Sequence, residues 1–215
     1  MNPTGGKYIM KNLIRKLLSK KFRISYSQLG EDILVCELLK KKCGVVYVDI
    51  GANHPIFGSN TFYFYLRGGH GICVEPNSDF ANLHRRARPR DRFVCSAVTN
   101  RNEDKVSFHK SASSTDSFAC FNDTDSISSS FVTNHHINDI LNKIPDKKID
   151  FLSLDTETMD AEILEAIDFS KFSIKAICVE TNKSEQETHR IRENLIRNGY
   201  DLKAANPVNS IFVLE

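Results

Sequence analysis

No apolar run in this chain approaches the roughly 18–20 residues needed to span a bilayer. The N-terminus also lacks the continuous apolar stretch of a secretory signal. No cysteine belongs to a C-x-x-C pair, so the six cysteines do not read as a metal or redox motif. Cys73, Cys95 and Cys178 instead fall inside the strand-like runs GICVE, RFVCSAV and AICVE, which predicts free thiols buried as small hydrophobes in a reducing cytoplasm. The glycine-rich G-x-G-x-x-G turn is missing too, and with it the usual cradle for a pyrophosphate. No internal repeat is visible.

Acids are absent from residues 1–23, where Lys7, Lys11, Arg15, Lys16, Lys20, Lys21 and Arg23 supply seven positive charges. The remainder holds 22 basic and 27 acidic residues, so the body of the protein is mildly acidic and a nucleic-acid partner is not expected. Ile9, Leu13, Ile14, Leu17 and Leu18 recur at helical spacing among these basic residues. Residues 1–24 therefore read as a basic amphipathic segment, and residues 25–215 as one domain. The segment at 9–23 is expected to pack on the domain, on a partner subunit in an oligomer, or as a peripheral contact on a membrane.

Within the domain, YSQLGEDILVCELLKKK predicts a first helix, with Ser25 and Gln28 at capping-box spacing and Leu29, Ile33, Cys36 and Leu39 on one face. Strands then alternate with helices. The strands are VVYVDI (45–50), HGICVE (70–75), RFVCSAV (92–98), DFLSLD (150–155) and KAICVE (175–180), with helical patterns near 59–67, 78–87, 159–168 and 185–198. Ser184 and Glu187 have capping-box spacing and Gly199 is placed to end the last helix. YDLKA and NSIFVLE close the chain as two short strands. This alternation predicts an α/β fold, a doubly wound and mostly parallel sheet with helices on both faces. Residues 109–130, rich in Ser, Asp and Thr, read as a long loop.

In such a sheet ligands sit beyond the carboxyl ends of the strands. The first strand ends in Asp49 and runs into Gly51, Asn53, His54 and Pro55. A glycine there lets the backbone approach a ligand closely, while a carboxylate repels a pyrophosphate and attracts a cation. S-adenosylmethionine suits that chemistry, with its sulfonium, its ammonium and no phosphate. Glu75, at the end of the second strand, is placed to accept hydrogen bonds from a ribose diol. Ala52, Asn53, Pro76 and Ala97, beside these strand ends, complete the expected cofactor contacts.

Taken together, YSQLGED, VDIGANHP with SNT, GICVEPN, RPRD and DFLSLDTETMDAEIL resemble the FkbM-type S-adenosylmethionine-dependent methyltransferases. The resemblance covers about residues 25–181. It implies the class I methyltransferase (Rossmann-like) fold of seven strands, the last hairpin supplying the antiparallel one. It also implies O-methylation, commonly of a sugar hydroxyl in a polysaccharide, glycolipid or glycosylated natural product. The segment holding Gln28, Glu31 and Asp32 is expected to close over the cofactor, and Ser59 and Asn60 to open the helix after the floor turn. One departure stands out: Thr158 occupies the position after Asp155-Thr156-Glu157 where the family usually has glycine, which is expected to reshape the acceptor pocket.

A sugar hydroxyl has a high pKa, so a base or cation near it should help remove its proton. Asp155 at the end of the fourth strand, Glu157 two residues on and His54 in the floor turn are the candidate catalytic residues. No metal is required; the alternative is that Asp155, Glu157 and Glu180 hold a divalent cation such as Mg²⁺ or Ca²⁺. The HRRARPRDR run, with five arginines, reads either as a solvated helix end or as a contact for phosphate or acidic sugars. Two other functions remain on this sheet type: a nucleotide-binding oxidoreductase or epimerase, disfavoured by the missing glycine motif, and a non-catalytic methyltransferase-like module.

Overall fold

The computed structural model describes residues 24–110, 118–120 and 129–215. The basic segment at 9–23, with its expected partner or membrane contact, lies outside the described residues. In chain order the elements are α1 (Glu31–Leu39), β1 (Val46–Ile50), α2 (Phe62–Tyr65), β2 (His70–Val74), α3 (Ala81–Ala87), β3 (Arg92–Val94), β4 (Ala97–Thr99), β5 (Lys105–His109) and β6 (Phe118–Cys120). They continue with β7 (Ser129–His136), α4 (Ile137–Leu141), β8 (Lys148–Leu154), α5 (Asp160–Glu165), β9 (Ser173–Glu180), α6 (Glu185–Arg197), β10 (Tyr200–Ala205) and β11 (Asn209–Leu214).

Seven strands form the main sheet in the order β10-β11-β9-β8-β1-β2-β3. Neighbours from β9 to β3 run parallel, and β11 runs antiparallel to both β9 and β10. Strand periodicity sorts the core onto two faces. Val48, Ile50, Leu152, Leu154, Ile177 and Val179 join the face covered by α4, α5 and α6. Tyr47, Phe151, Ala176 and Cys178 join the other, with Val35 of α1 and the four aromatics of α2. Burying each large apolar side chain contributes about 1.5–3 kcal/mol. Alternation puts Asp49 and its register partner Ser153 on the α1–α2 face.

The expected seven-stranded fold is present, with three corrections. RFVCSAV is not one strand: β3 stays in the main sheet, whereas β4 leaves it for a second sheet of order β4-β7-β5-β6. The break falls at Cys95, which is exposed, not buried as expected. Part of the expected loop at 109–130 is β6 and the start of β7; residues 111–117 and 121–128 lie outside the description. The first helix starts at Glu31, and its cap is not a Ser25–Gln28 box. The Ser25 and Ser27 hydroxyls donate to the Asp32 carboxylate at 2.7 and 3.0 Å, joined by the Tyr26 amide at 2.7 Å. The helix buries Glu31, Asp32 and Val35, leaving Leu29 exposed. At α6 the expected cap is present, Ser184 Oγ accepting from the Glu187 amide at 3.2 Å, and Gly199 follows with φ +86°. The five described cysteines outside Cys120 are free thiols. No helix among the described residues is long and apolar enough to cross a membrane.

Candidate active site

The carboxyl ends of β1, β2, β8 and β9 open onto a cavity of about 610 Å³. Its floor is the turn after β1. Gly51 there has φ +76°, and its amide and that of Ala52 both donate to the Val74 carbonyl at 3.0 Å. A Cβ on Gly51 would lie 1.7 Å from the Asp155 carbonyl oxygen. The glycine is thus required by the close approach of the β8 terminus, not by a ligand as the sequence suggested. Gly51→Ala is expected to destabilise the fold by about 2–5 kcal/mol, combining left-handed strain with overpacking; a chemical denaturation midpoint measures it.

Beyond Gly51 the turn is clamped from two sides. Asn53, itself left-handed with φ 43°, donates its amide to Glu75 Oε2 at 3.0 Å. The buried His84 Nε2–H donates to the Asn53 carbonyl at 2.8 Å. Burial holds the His84 pKa down at about 4, with the hydrogen bond to Asn53 opposing and the Arg88 charge reinforcing. The other Glu75 oxygen accepts from the Asn77 amide at 2.7 Å. Burial pushes the Glu75 pKa up to about 6 against these two backbone amides, and the Asp49 charge adds to the rise. Each oxygen keeps a further lone pair for a ligand hydroxyl.

Asp49 is buried against the Thr61 hydroxyl. Burial raises its pKa; the Arg88 charge and the Thr61 and Ser153 hydroxyls pull it down. Arg88, only 1% exposed, reaches Asp91 at 2.7 Å, Thr61 at 2.8 Å and Ser59 at 3.2 Å. It is a structural hub beneath the cavity. The arginine run is therefore neither a wholly solvated helix end nor, at Arg88, a ligand contact. Ser59 does open α2 as expected, accepting from the Thr61 and Phe62 amides, and Asn60 donates to Ser153 Oγ at 3.1 Å.

At the ends of β8 and β9, Asp155, Glu157 and Glu180 line the same cavity. Asp155 Oδ1 is buried with no hydrogen-bond partner. Burial raises its pKa well above the carboxylate range, the charges of Asp160, Glu180 and Glu157 add to this, and Lys183 opposes it. Lys183, 5% exposed, sits 2.6 Å from Asp160 and 3.3 Å from Glu180. Asp160 Oδ1 in turn accepts from the Thr156 amide and hydroxyl at 2.9 and 2.6 Å, which pins the turn carrying Asp155 and Glu157. Glu157 takes the left-handed φ of 68°, and Thr158 has no positive φ. The β-branched residue at 158 therefore meets no backbone constraint; the strained residue is the acid before it.

Of the expected site residues, Asp49, Gly51, Ala52, Asn53, His54, Asn60, Glu75, Pro76, Ala97, Asp155, Glu157, Glu180 and Gln28 all line this cavity. Asp32 does not: its carboxylate is consumed by Ser25, Ser27 and the Tyr26 amide. His54 lines the cavity with Nδ1 accepting from the Ile56 and Phe57 amides at 3.2 and 3.1 Å. That places its proton on Nε2 and leaves no lone pair to act as a base, so His54 builds the turn. The alternative metal site does not assemble: among the described residues no three His, Cys, Asp or Glu side chains lie close enough to hold an ion. Sequence reasoning missed Ser153, Ser96, Asn182 and Phe108 in the lining. Ser153 was legible as the residue beside Asp49 across the sheet; Phe108 stands on β5 of the undetected second sheet.

This strand order, with one antiparallel strand and a cavity over the end of β1, is that of the class I methyltransferase fold. The chain belongs to the FkbM methyltransferase family: the methyltransferase FkbM domain matches residues 49–202. S-adenosylmethionine is its cofactor, and the residues fit that group. Glu75 keeps lone pairs that can accept a diol, Asp155 stands on the opposite wall, and among the described residues no lysine or arginine lines the cavity to invite a phosphate.

Solved structures share the fold. One is an S-adenosylmethionine-dependent O-methyltransferase from Thermotoga maritima, TM-score 0.50 and 12% identity, covering 93% of this chain and 69% of that one. Another is described as precorrin 8w decarboxylase from Methanobacterium thermoautotrophicum, TM-score 0.50 and 16% identity, covering 88% and 92%. A third is an O-methyltransferase from Bacillus cereus in complex with SAH, TM-score 0.49 and 11% identity, covering 100% and 92%. Comparison with curated proteins finds no significant match.

Proposed function

We propose that the protein transfers the methyl group to a hydroxyl of a carbohydrate or glycoconjugate, with Asp155 as the general base. The observation that carries this reading is Asp155 on the cavity wall, its carboxyl buried and unpartnered at Oδ1 and its proton affinity raised. A carboxylate whose proton affinity is raised is a stronger base toward a hydroxyl proton than an ordinary one. The polar lining of Gln28, Asn60, Ser96, Ser153 and Asn182 supports a polyhydroxylated acceptor.

When bound, the cofactor supplies an electrophilic methyl group on a sulfonium. The chain supplies position and proton transfer. Glu75 would accept from the ribose diol, and Asp49 lies in the floor beneath it. Asp155 takes the acceptor's proton, and Lys183, through Asp160 and Thr156, holds the turn that carries it.

Mass spectrometry of glycans from cells with and without the protein tests the acceptor, and loss of a methyl ether is the expected result. Glu75→Gln tests the donor side. Removing one acceptor should weaken cofactor binding by about 1–3 kcal/mol, read by calorimetry. In the free fold the raised Glu75 pKa means that the folded state binds this proton more tightly. Protonation below about pH 6 should therefore compete with the diol and weaken cofactor affinity. That pH dependence should vanish in the glutamine variant.

A further inference from the structure

We propose that His84 is a positioning residue for donor binding: from outside the cavity it sets the Asn53 turn so that Glu75 presents its carboxylate to the ribose diol. This rests on Glu75 as the diol acceptor and extends that reading to a side chain that touches no ligand. His84 does not line the cavity. It is buried in α3, with 1% of the residue exposed.

The connection runs through one residue. The His84 Nε2–H donates to the Asn53 carbonyl at 2.8 Å, and the Asn53 amide donates to Glu75 Oε2 at 3.0 Å. Asn53 sits at the left-handed φ of 43°, a conformation that a side-chain-bearing residue keeps only where its surroundings hold it. His84 holds its carbonyl and Glu75 its amide, so loosening one end lets the other turn away. Glu75 Oε1 has a separate anchor in the Asn77 amide at 2.7 Å. Of the two carboxylate oxygens, Oε2 is the one that depends on His84.

The imidazole is itself fixed. Its ring stacks on Phe93 of β3, with centroids 4.6 Å apart and planes 28° from parallel. One helical turn on, at the end of α3, Arg88 Nη1 donates to the Pro55 carbonyl at 3.4 Å, so one face of the helix holds the floor turn at two carbonyls. The His84 Nδ1 is buried with no hydrogen-bond partner, and a second proton there would find no acceptor. Burial lowers the ring's pKa to about 4, the bond to Asn53 opposing and the Arg88 and His54 charges reinforcing. His84 is thus a constant neutral donor, and the group that titrates is Glu75. Burial raises Glu75 to about 6, the Asn77 and Asn53 amides pull it down, and the Asp49 charge adds to the rise. Losing the Asn53 amide removes one of those two lowering contacts. Protonation of Glu75, and with it the loss of donor affinity, then moves to higher pH.

Calorimetric titration of S-adenosylhomocysteine into the full chain, repeated across the acid limb of Glu75, tests this. His84→Phe keeps the stack on Phe93 and removes the donor; binding is expected to weaken about tenfold, with the acid limb displaced upward. His84→Gln, whose amide nitrogen takes the place of Nε2, should restore both, whereas His84→Asn is too short to reach and should not. Phe93→Leu loosens the same packing but leaves the hydrogen bond. It should lower the denaturation midpoint without moving the limb.

An unmoved limb in His84→Phe and His84→Asn, failure of His84→Gln to restore the affinity, or an equal shift in Phe93→Leu overturns the positioning role and leaves Glu75 as the diol acceptor. Should His84→Phe fail to fold, the glutamine and asparagine variants carry the test between them. Unchanged affinity in Glu75→Gln overturns the diol reading, and this role with it.

Discussion

Asp155→Asn is expected to lower turnover by about 10²–10⁴-fold while cofactor affinity changes little. The amide keeps the size of the side chain but cannot accept a proton. Asp155 leaves β8, whereas Glu75 leaves β2 on the far side of β1. The loss should therefore fall on kcat, not on cofactor binding. The raised proton affinity of Asp155 also predicts an acid limb in the rate profile lying above the ordinary carboxylate range. That limb should disappear in the variant. Activity of the unaltered enzyme should survive a chelator, because a general base works without a metal. Abolition by chelator with rescue by Mg²⁺ would sink the base assignment.

Arg88→Leu should destabilise the protein by about 3–5 kcal/mol, the cost of stranding buried charge. The guanidinium serves Asp91, Ser59 and Thr61 at once. Asp91 is also the acceptor for the Tyr47 hydroxyl at 2.8 Å and the Gly71 amide at 3.0 Å. Removing the cation leaves Asp91 and Asp49 in the core without their counter-charge. Lysine restores the charge but not the planar fork, so Arg88→Lys should recover only part of the loss. Urea denaturation separates the cases, and an unchanged midpoint in both variants would show the hub to be dispensable.

The donor floor was readable because each residue stands at a strand end, where chain direction and apolar pattern declare the geometry. Glu75 and Asp155 close the runs HGICVE and DFLSLD, Asp49 stands one residue before the end of VVYVDI, and all three line the cavity. Arg88 was not readable. Five arginines around a helix end look solvated, and nothing local tells which one turns inward to meet Thr61, 27 residues earlier in the chain. His84 escaped for the same reason: its partner Asn53 lies 31 residues away. The second sheet was hidden because β4 and β6 have three residues each, too few to display a period. Asp32 misled the reading because its role is settled by the Ser25 and Ser27 hydroxyls, which a helical wheel does not show.

The strand order carries a consequence for how the molecule is made. β1 lies at the centre of the main sheet, yet one of its two neighbours, β8, begins only at Lys148. As the chain leaves the ribosome, β2 can pair with β1 early, while the opposite edge of β1 must wait for the intervening second sheet and α4 to be synthesised. That waiting edge is an unpaired, apolar row of backbone groups, open to the wrong partner. The contact of Gly51 with the Asp155 carbonyl closes only when β8 arrives, so the binding cavity is among the last features to form. Nascent chains halted before that point would hold the donor-floor residues and be unable to bind the donor.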